Sequence, residues 1–166
     1  MASWGASATA GTRWDLGASR IGNQVLASCP KWLIFVEGAG KQGCAPCGCS
    51  WGEHVSGAVT DPVKLSDPRK LVYSPHVYDN GGRCPLDEMP GVWYEHFARV
   101  QSETGTPVVL GEWGGVMSNT TFQGRTLPST RAWQEALLSY LEQQQIGFFY
   151  WSARSHCLPN DPTPPS

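Results

Sequence analysis

Charge is scarce in this chain. Only 16% of its 166 residues are Asp, Glu, Lys or Arg, against roughly 25% in an average soluble domain. The 12 basic side chains form no run and stand beside 14 acidic ones, for a net charge of -2. That balance gives no footing to a nucleic-acid partner or an anionic membrane surface. No apolar run approaches the roughly 20 residues of a membrane span. No GxxxxGK[ST] loop is present to cradle phosphates. The opening MASWGASATAGTRWDLG lacks a basic n-region and an apolar h-region, so no signal peptide is expected. The closing LPNDPTPPS is Pro-rich and is expected to fray.

Aromatics and cysteines are plentiful by contrast. Eight Trp are many for this length. Their ordinary place is the core, but Trp clusters also line sites for flat, sparsely charged ligands such as sugars. Six Cys occur, three of them within CAPCGC. A disulfide-bearing loop is the first reading, reduced structural cysteines the second and a zinc site a distant third. Cys44 and Cys47 form a CxxC with no second pair to complete a tetrahedral set. The disulfide reading points to an oxidising compartment.

Four apolar runs begin near residues 31, 71, 107 and 148: KWLIFVEG, KLVYSPHVY, PVVLGEWGG and FFYWS. Between them lie segments with helical periodicity. In 14–28, Trp14, Ala18, Ile21 and Val25 share a stripe, and Cys29-Pro30 ends it. In 92–105, Trp93, Phe97 and Val100 share a face, with Gly105 as the stop. In 131–145, Trp133, Ala136, Leu137, Tyr140 and Leu141 follow the core-facing pattern, Ser129 or Thr130 can cap the start, and Gly147 ends the helix. The strand starts are spaced by 40, 36 and 41 residues. Apolar strands alternating with helices at near-constant spacing imply parallel β/α units, either an open doubly wound sheet or a barrel.

In such folds the chemistry sits at the carboxyl ends of the strands. Those ends here carry Glu37, His76 with Tyr78, Glu112 with Trp113, and Trp151. His76 and Tyr78 are two apart and so share a strand face. An ionised carboxylate at Glu112 is costly to bury without a partner. One such residue means little; an acid, a His-Tyr pair and aromatics at successive strand ends imply a site.

Taken together, WLIFVEG, LVYSPHVY, PVVLGEWGG and FFYWS resemble glycoside hydrolase family 5, near its cellulases. That resemblance implies a (β/α)₈ barrel that cleaves β-1,4-glucans with retention of configuration, without cofactor or metal. It gives Glu112 the role of seventh-strand nucleophile, with His76 and Tyr78 as the sixth-strand pair and Tyr78 donating a hydrogen bond to the nucleophile. Trp151 matches the eighth-strand Trp that stacks on the sugar, followed by a cis peptide bond. Trp51 resembles a loop Trp of the cleft, and Trp113 is placed with the substrate-binding aromatics. Glu37 lies near the cleft without a catalytic role. The family is usually secreted.

Such an enzyme also needs a second carboxyl, roughly 5–5.5 Å from the nucleophile, to protonate the leaving oxygen. In the family it lies in an Asn-Glu pair, and this chain contains no Asn-Glu pair. The segment ASWG resembles the stretch just after it. The expectation is therefore a partial TIM barrel, units five to eight, over residues 1–152, followed by a Pro-rich tail at 153–166. Such a half barrel lacks the acid/base, is inactive alone, and self-associates through its open edges. A non-catalytic carbohydrate-binding remnant is the alternative, and an open α/β domain for another small molecule the third reading. Asn119-Thr120-Thr121 is a lone glycosylation sequon of a kind common by chance.

Overall fold

The computed structural model describes residues 2–5, 10–39, 44, 47–79, 81–122 and 125–152. Cys157 and the Pro-rich segment 153–166 lie outside these residues. Helix α1 (Trp14–Ser28) leads to β1 (Ile34–Val36), then β2 (Leu71–Tyr73) and β3 (His76–Tyr78). A continuous helical stretch follows: α2 (Met89–Trp93), a π turn (Tyr94–Ala98) and α3 (Arg99–Thr104). Then come β4 (Val109–Gly114), a hairpin of β5 (Thr120–Phe122) and β6 (Arg125–Leu127), α4 (Arg131–Gln144) and β7 (Gly147–Tyr150).

All core strands run parallel and lie in chain order. β1 pairs with β2, and β3, β4 and β7 form a second sheet in that order. A parallel bridge from Tyr73 to Val108 joins the two. A doubly wound sheet reverses its strand order at a switch point; no reversal occurs among the described strands. The helices cover one face only. Trp93, Phe97 and Val100 meet Leu137, Tyr140 and Leu141 against Val77, Leu110 and Trp113 in one buried cluster. On the other face Phe35 and Phe149 remain 48% and 58% exposed. This curved, one-sided layer is part of a barrel wall rather than an open three-layer sandwich.

The expected strand 70–78 is divided. Pro75 has no N–H for a ladder. Around it Ser74 donates to the Val36 carbonyl at 2.8 Å, and Gly111 donates to the Pro75 carbonyl at 3.0 Å. The pairing with β1 thereby ends at the proline, while the other side of the chain, already bridged from Tyr73 to Val108, continues onto β4. The expected stripe of α1 is rotated by one position. The buried residues are Asp15, Ala18, Gly22 and Leu26, while Ile21 is 53% exposed. Asp15 explains the turn, because it receives Arg13 Nη2 at 2.5 Å and the Gly5 N–H at 3.3 Å. The Arg13 guanidinium, through that hydrogen bond, holds the Asp15 carboxyl below the ordinary carboxylate range. The second helical stretch begins at Met89, earlier than periodicity implies, and ends at Gly105 in the left-handed region. Helix α4 is terminated by left-handed Gln145, and Gly147 instead opens β7.

Candidate active site

The strand register brings the site together. β3 and β4 pair so that His76 faces Glu112, Val77 faces Trp113 and Tyr78 faces Gly114. Side chains alternate along each strand. His76, Tyr78 and Glu112 therefore project to one side, and Val77 and Trp113 to the helices. Tyr78 Oη donates to Glu112 Oε1 at 2.5 Å. His76 Nδ1 lies 4.0 Å from Glu112 Oε2 and 3.1 Å from Glu37 Oε1. The His76–Glu37 approach has ion-pair distance but not the alignment of a hydrogen bond.

The electrostatics follow from partial burial. Desolvation first, then the hydrogen bond to Glu112, pushes the Tyr78 phenol well above its ordinary value. Tyr78 thus keeps its proton and acts as a donor. Burial raises the Glu37 carboxyl, His76 opposes that shift, and the charge of Glu112 adds to it. Glu37 thus lies within electrostatic reach of Glu112, near the cleft as expected. Its position at the end of the first strand was visible in the sequence, but its contact with His76 is a tertiary fact.

The aromatic residues divide into two groups. Trp51 is 64% exposed, and its ring meets His76 edge-on with centroids 6.0 Å apart. Two disulfides, Cys44–Cys49 and Cys47–Cys84, hold the loop that carries it. Cys44 and Cys47 therefore have no free thiolates for the zinc alternative. Trp151 is also 64% exposed. Its N–H donates to the Trp113 carbonyl at 2.7 Å, next to Glu112, and the Trp151–Ser152 peptide is cis. A Cβ on Gly114 would overlap the Trp151 carbonyl, so glycine is what permits this close approach. Trp113 does not join the cleft group. It is 4% exposed and packs edge-on against Phe148 and Tyr150, with centroids 5.2 Å away in each case. Adjacency to Glu112 on one strand places it on the opposite face, and its contribution is packing.

A cavity of about 320 Å³ adjoins Tyr78 and is lined by Glu53, Asp79, Arg83 and Trp133 among others, but neither Glu112 nor His76 borders it. Glu112 instead opens onto the uncovered side of the sheet, where its side chain is 28% exposed. Among the described residues no group of three or more His, Cys, Asp or Glu is arranged to hold a metal ion.

The chain has relatives among known proteins. A family model described as cellulase (glycosyl hydrolase family 5) matches residues 2–156. An endoglucanase of Paenibacillus polymyxa is 34% identical over 162 residues, covering 92% of this chain and 39% of that protein. The major extracellular endoglucanase of Xanthomonas campestris pv. campestris is 34% identical over 164 residues, covering 91% of this chain and 31% of its own length. Among solved structures, the Pyrococcus horikoshii endocellulase in complex with cellotetraose superposes with a TM-score of 0.75 at 36% identity, over 91% of this chain and 43% of that one. The catalytic domain of the Xanthomonas enzyme gives 0.71 at 32% identity, over 97% and 46%. The chain thus spans about two fifths or less of the length of the curated relatives it matches, and its fold is part of a TIM barrel. It belongs to glycosyl hydrolase family 5, the cellulases.

Proposed function

We propose that this chain carries the nucleophile side of a retaining β-1,4-glucanase site, with Glu112 as the nucleophile. The hydrogen bond from Tyr78 to Glu112 at 2.5 Å carries the reading. It occupies Oε1 and leaves Oε2 to attack. That oxygen bonds to the anomeric carbon as the glycosidic C–O bond breaks, and the bonding pair leaves on the departing oxygen. Water then attacks the same carbon from the vacated face, loses a proton to solvent and releases the Glu112 carboxylate, so two inversions give net retention. His76 borders Oε2, and Trp51 and Trp151 offer exposed ring faces for a glucosyl unit. The relatives named as endoglucanases, and the endocellulase solved with cellotetraose, support a β-glucan as the substrate.

Protonation of the leaving oxygen needs a second carboxylic acid, a step worth about 10²–10⁴-fold. Glu53 is engaged by His96 and Ser50, and Glu37 faces His76. Neither takes that role in this reading, so these residues alone do not turn over unactivated glucan. The two disulfides and an extracellular relative favour action outside the cell. The uncovered face around Phe35 and Phe149 favours self-association.

A substrate whose leaving group departs without protonation isolates the nucleophile. An activated 2-deoxy-2-fluoro-β-cellobioside is expected to add one glycosyl mass to the chain, mapped to Glu112 and absent in Glu112→Gln. Label on another carboxylate would overturn the assignment. Retention on cellulose with no adduct would favour the carbohydrate-binding alternative.

A further inference from the structure

We propose that Glu53 and His96 are positioning residues. Acting through Ser50, they fix the main chain of Tyr78 and so hold its phenol on Glu112. The catalytic meaning of this inference rests on Glu112 being the nucleophile.

Glu53 is 2% exposed and His96 4%, beside fully buried Val55, Trp93 and Phe97. Burying a carboxylate and an imidazole together is poor value as a stabiliser, because apolar replacements of similar volume are often neutral or better. The geometry supplies another reason for it. Glu53 Oε1 faces His96 Nδ1 at 2.8 Å, and Oε2 accepts the Ser50 N–H at 2.7 Å. Ser50 Oγ in turn accepts the Tyr78 N–H at 3.0 Å and donates to the Tyr78 carbonyl at 3.4 Å. β4 pairs with β3 on one side. On the other side β1 and β2 pair only over 34–36 and 71–73, so no described strand reaches Tyr78. The serine hydroxyl stands in for that missing neighbour.

The π turn is what delivers His96. Its wider loop also offers the His96 carbonyl to Val55 N–H at 3.0 Å and the Glu95 carbonyl to Ser56 Oγ. The segment from Ser50 to Ser56 is thus clamped to the helix at several points. Single π turns inside α-helices are frequent at functional sites. Misplacement of a reacting group by about 1 Å is enough to cost rate, and the phenol oxygen lies at the far end of a long lever from its main chain.

The test measures labelling of Glu112 by the activated fluoro-cellobioside in the full chain, separating the maximal rate from the half-saturating concentration. Ser50→Ala, Glu53→Ala and Glu53→Gln are each made alone and with Tyr78→Phe. Hydrogen exchange of the Tyr78 amide is followed in the same proteins. Ser50→Ala and Glu53→Ala are expected to lower the maximal rate about tenfold, the scale of one lost hydrogen bond, with the half-saturating concentration unchanged. Glu53→Gln, which still accepts from Ser50, restores the rate. In the Tyr78→Phe background the same changes have no further effect, and the Tyr78 amide exchanges faster in Ser50→Ala. Equal losses with and without the phenol, or unchanged protection of the Tyr78 amide, would overturn the proposal. Ser50→Ala leaves the Glu53–His96 pair intact, so it decides the matter if Glu53→Ala does not fold. Should wild type take no label at Glu112, the nucleophile reading falls, and amide exchange alone decides the relay.

Discussion

Tyr78 reaches Glu112 diagonally. The residue directly opposite Glu112 in the parallel register is His76, yet the 2.5 Å hydrogen bond comes from Tyr78, two positions further along β3. The aromatic ring bridges the offset, and the carboxylate is gripped from further along the same strand while His76 flanks its other oxygen.

Removing that grip tests its worth. Tyr78→Phe keeps the ring and deletes the donor. Hydrogen bonds to charged groups contribute about 1.5–3 kcal/mol, so labelling of Glu112 is expected to slow by roughly ten- to a hundredfold. The melting temperature, followed by circular dichroism, is expected to stay within a few degrees of wild type.

The disulfide Cys47–Cys84 closes a separation of 37 residues. In the chain-entropy model a loop of that length is worth about 3–4 kcal/mol. Its loss in Cys47→Ser with Cys84→Ser is expected to lower the urea midpoint markedly. Loss of Cys44–Cys49, five residues apart, is expected to do less. Both changes release Trp51 from its place beside His76, visible as altered quenching of tryptophan fluorescence by a glucan oligomer.

His54 predicts an acid limb for stability. Burial, with His96 adding to it, lowers its pKa from 6.5 to about 4. The unfolded chain therefore binds a proton near pH 6.5 that the folded chain refuses until about pH 4. Stability is complete above pH 6.5 and is lost as pH falls through that window, by on the order of 2 kcal/mol. Urea unfolding across pH 4–7 should show this loss, and His54→Asn should reduce it.

The open side of the sheet predicts association. Parallel sheets are ordinarily covered on both faces. Here Phe35 and Phe149 meet edge-on at 6.5 Å and remain exposed, and β1 and β7 each have one partner among the described strands. Sedimentation is expected to give a mass that rises with concentration. Phe35→Ser with Phe149→Ser should shift the equilibrium toward monomer. A monomer at all concentrations would rule out the contact.

Much of this was legible in the chain before folding. The four apolar runs became strands, as β-propensity favours, although all four residues of β7 are exposed, and α4 followed its periodic stripe. Glu112, His76 and Tyr78 were recognisable as strand-end residues, and their two-residue spacing set their common face. Trp113 illustrates what adjacency alone should have revealed: neighbours on a strand point oppositely, so it and Glu112 do not share a cleft. The hairpin β5–β6 carries too short and polar a pattern to stand out. The π turn has no local signature, and the Glu53–His96 contact joins residues 43 apart, a separation periodicity does not see.

The proline between β2 and β3 has an effect beyond breaking a ladder. It works as a phase marker for everything downstream. A strand that ran straight through this point, one residue out of step, would send Val77 toward the open face and bury His76 and Tyr78 against the helices. The identity of the residues that meet Glu112 is thus fixed by the ring that precedes them.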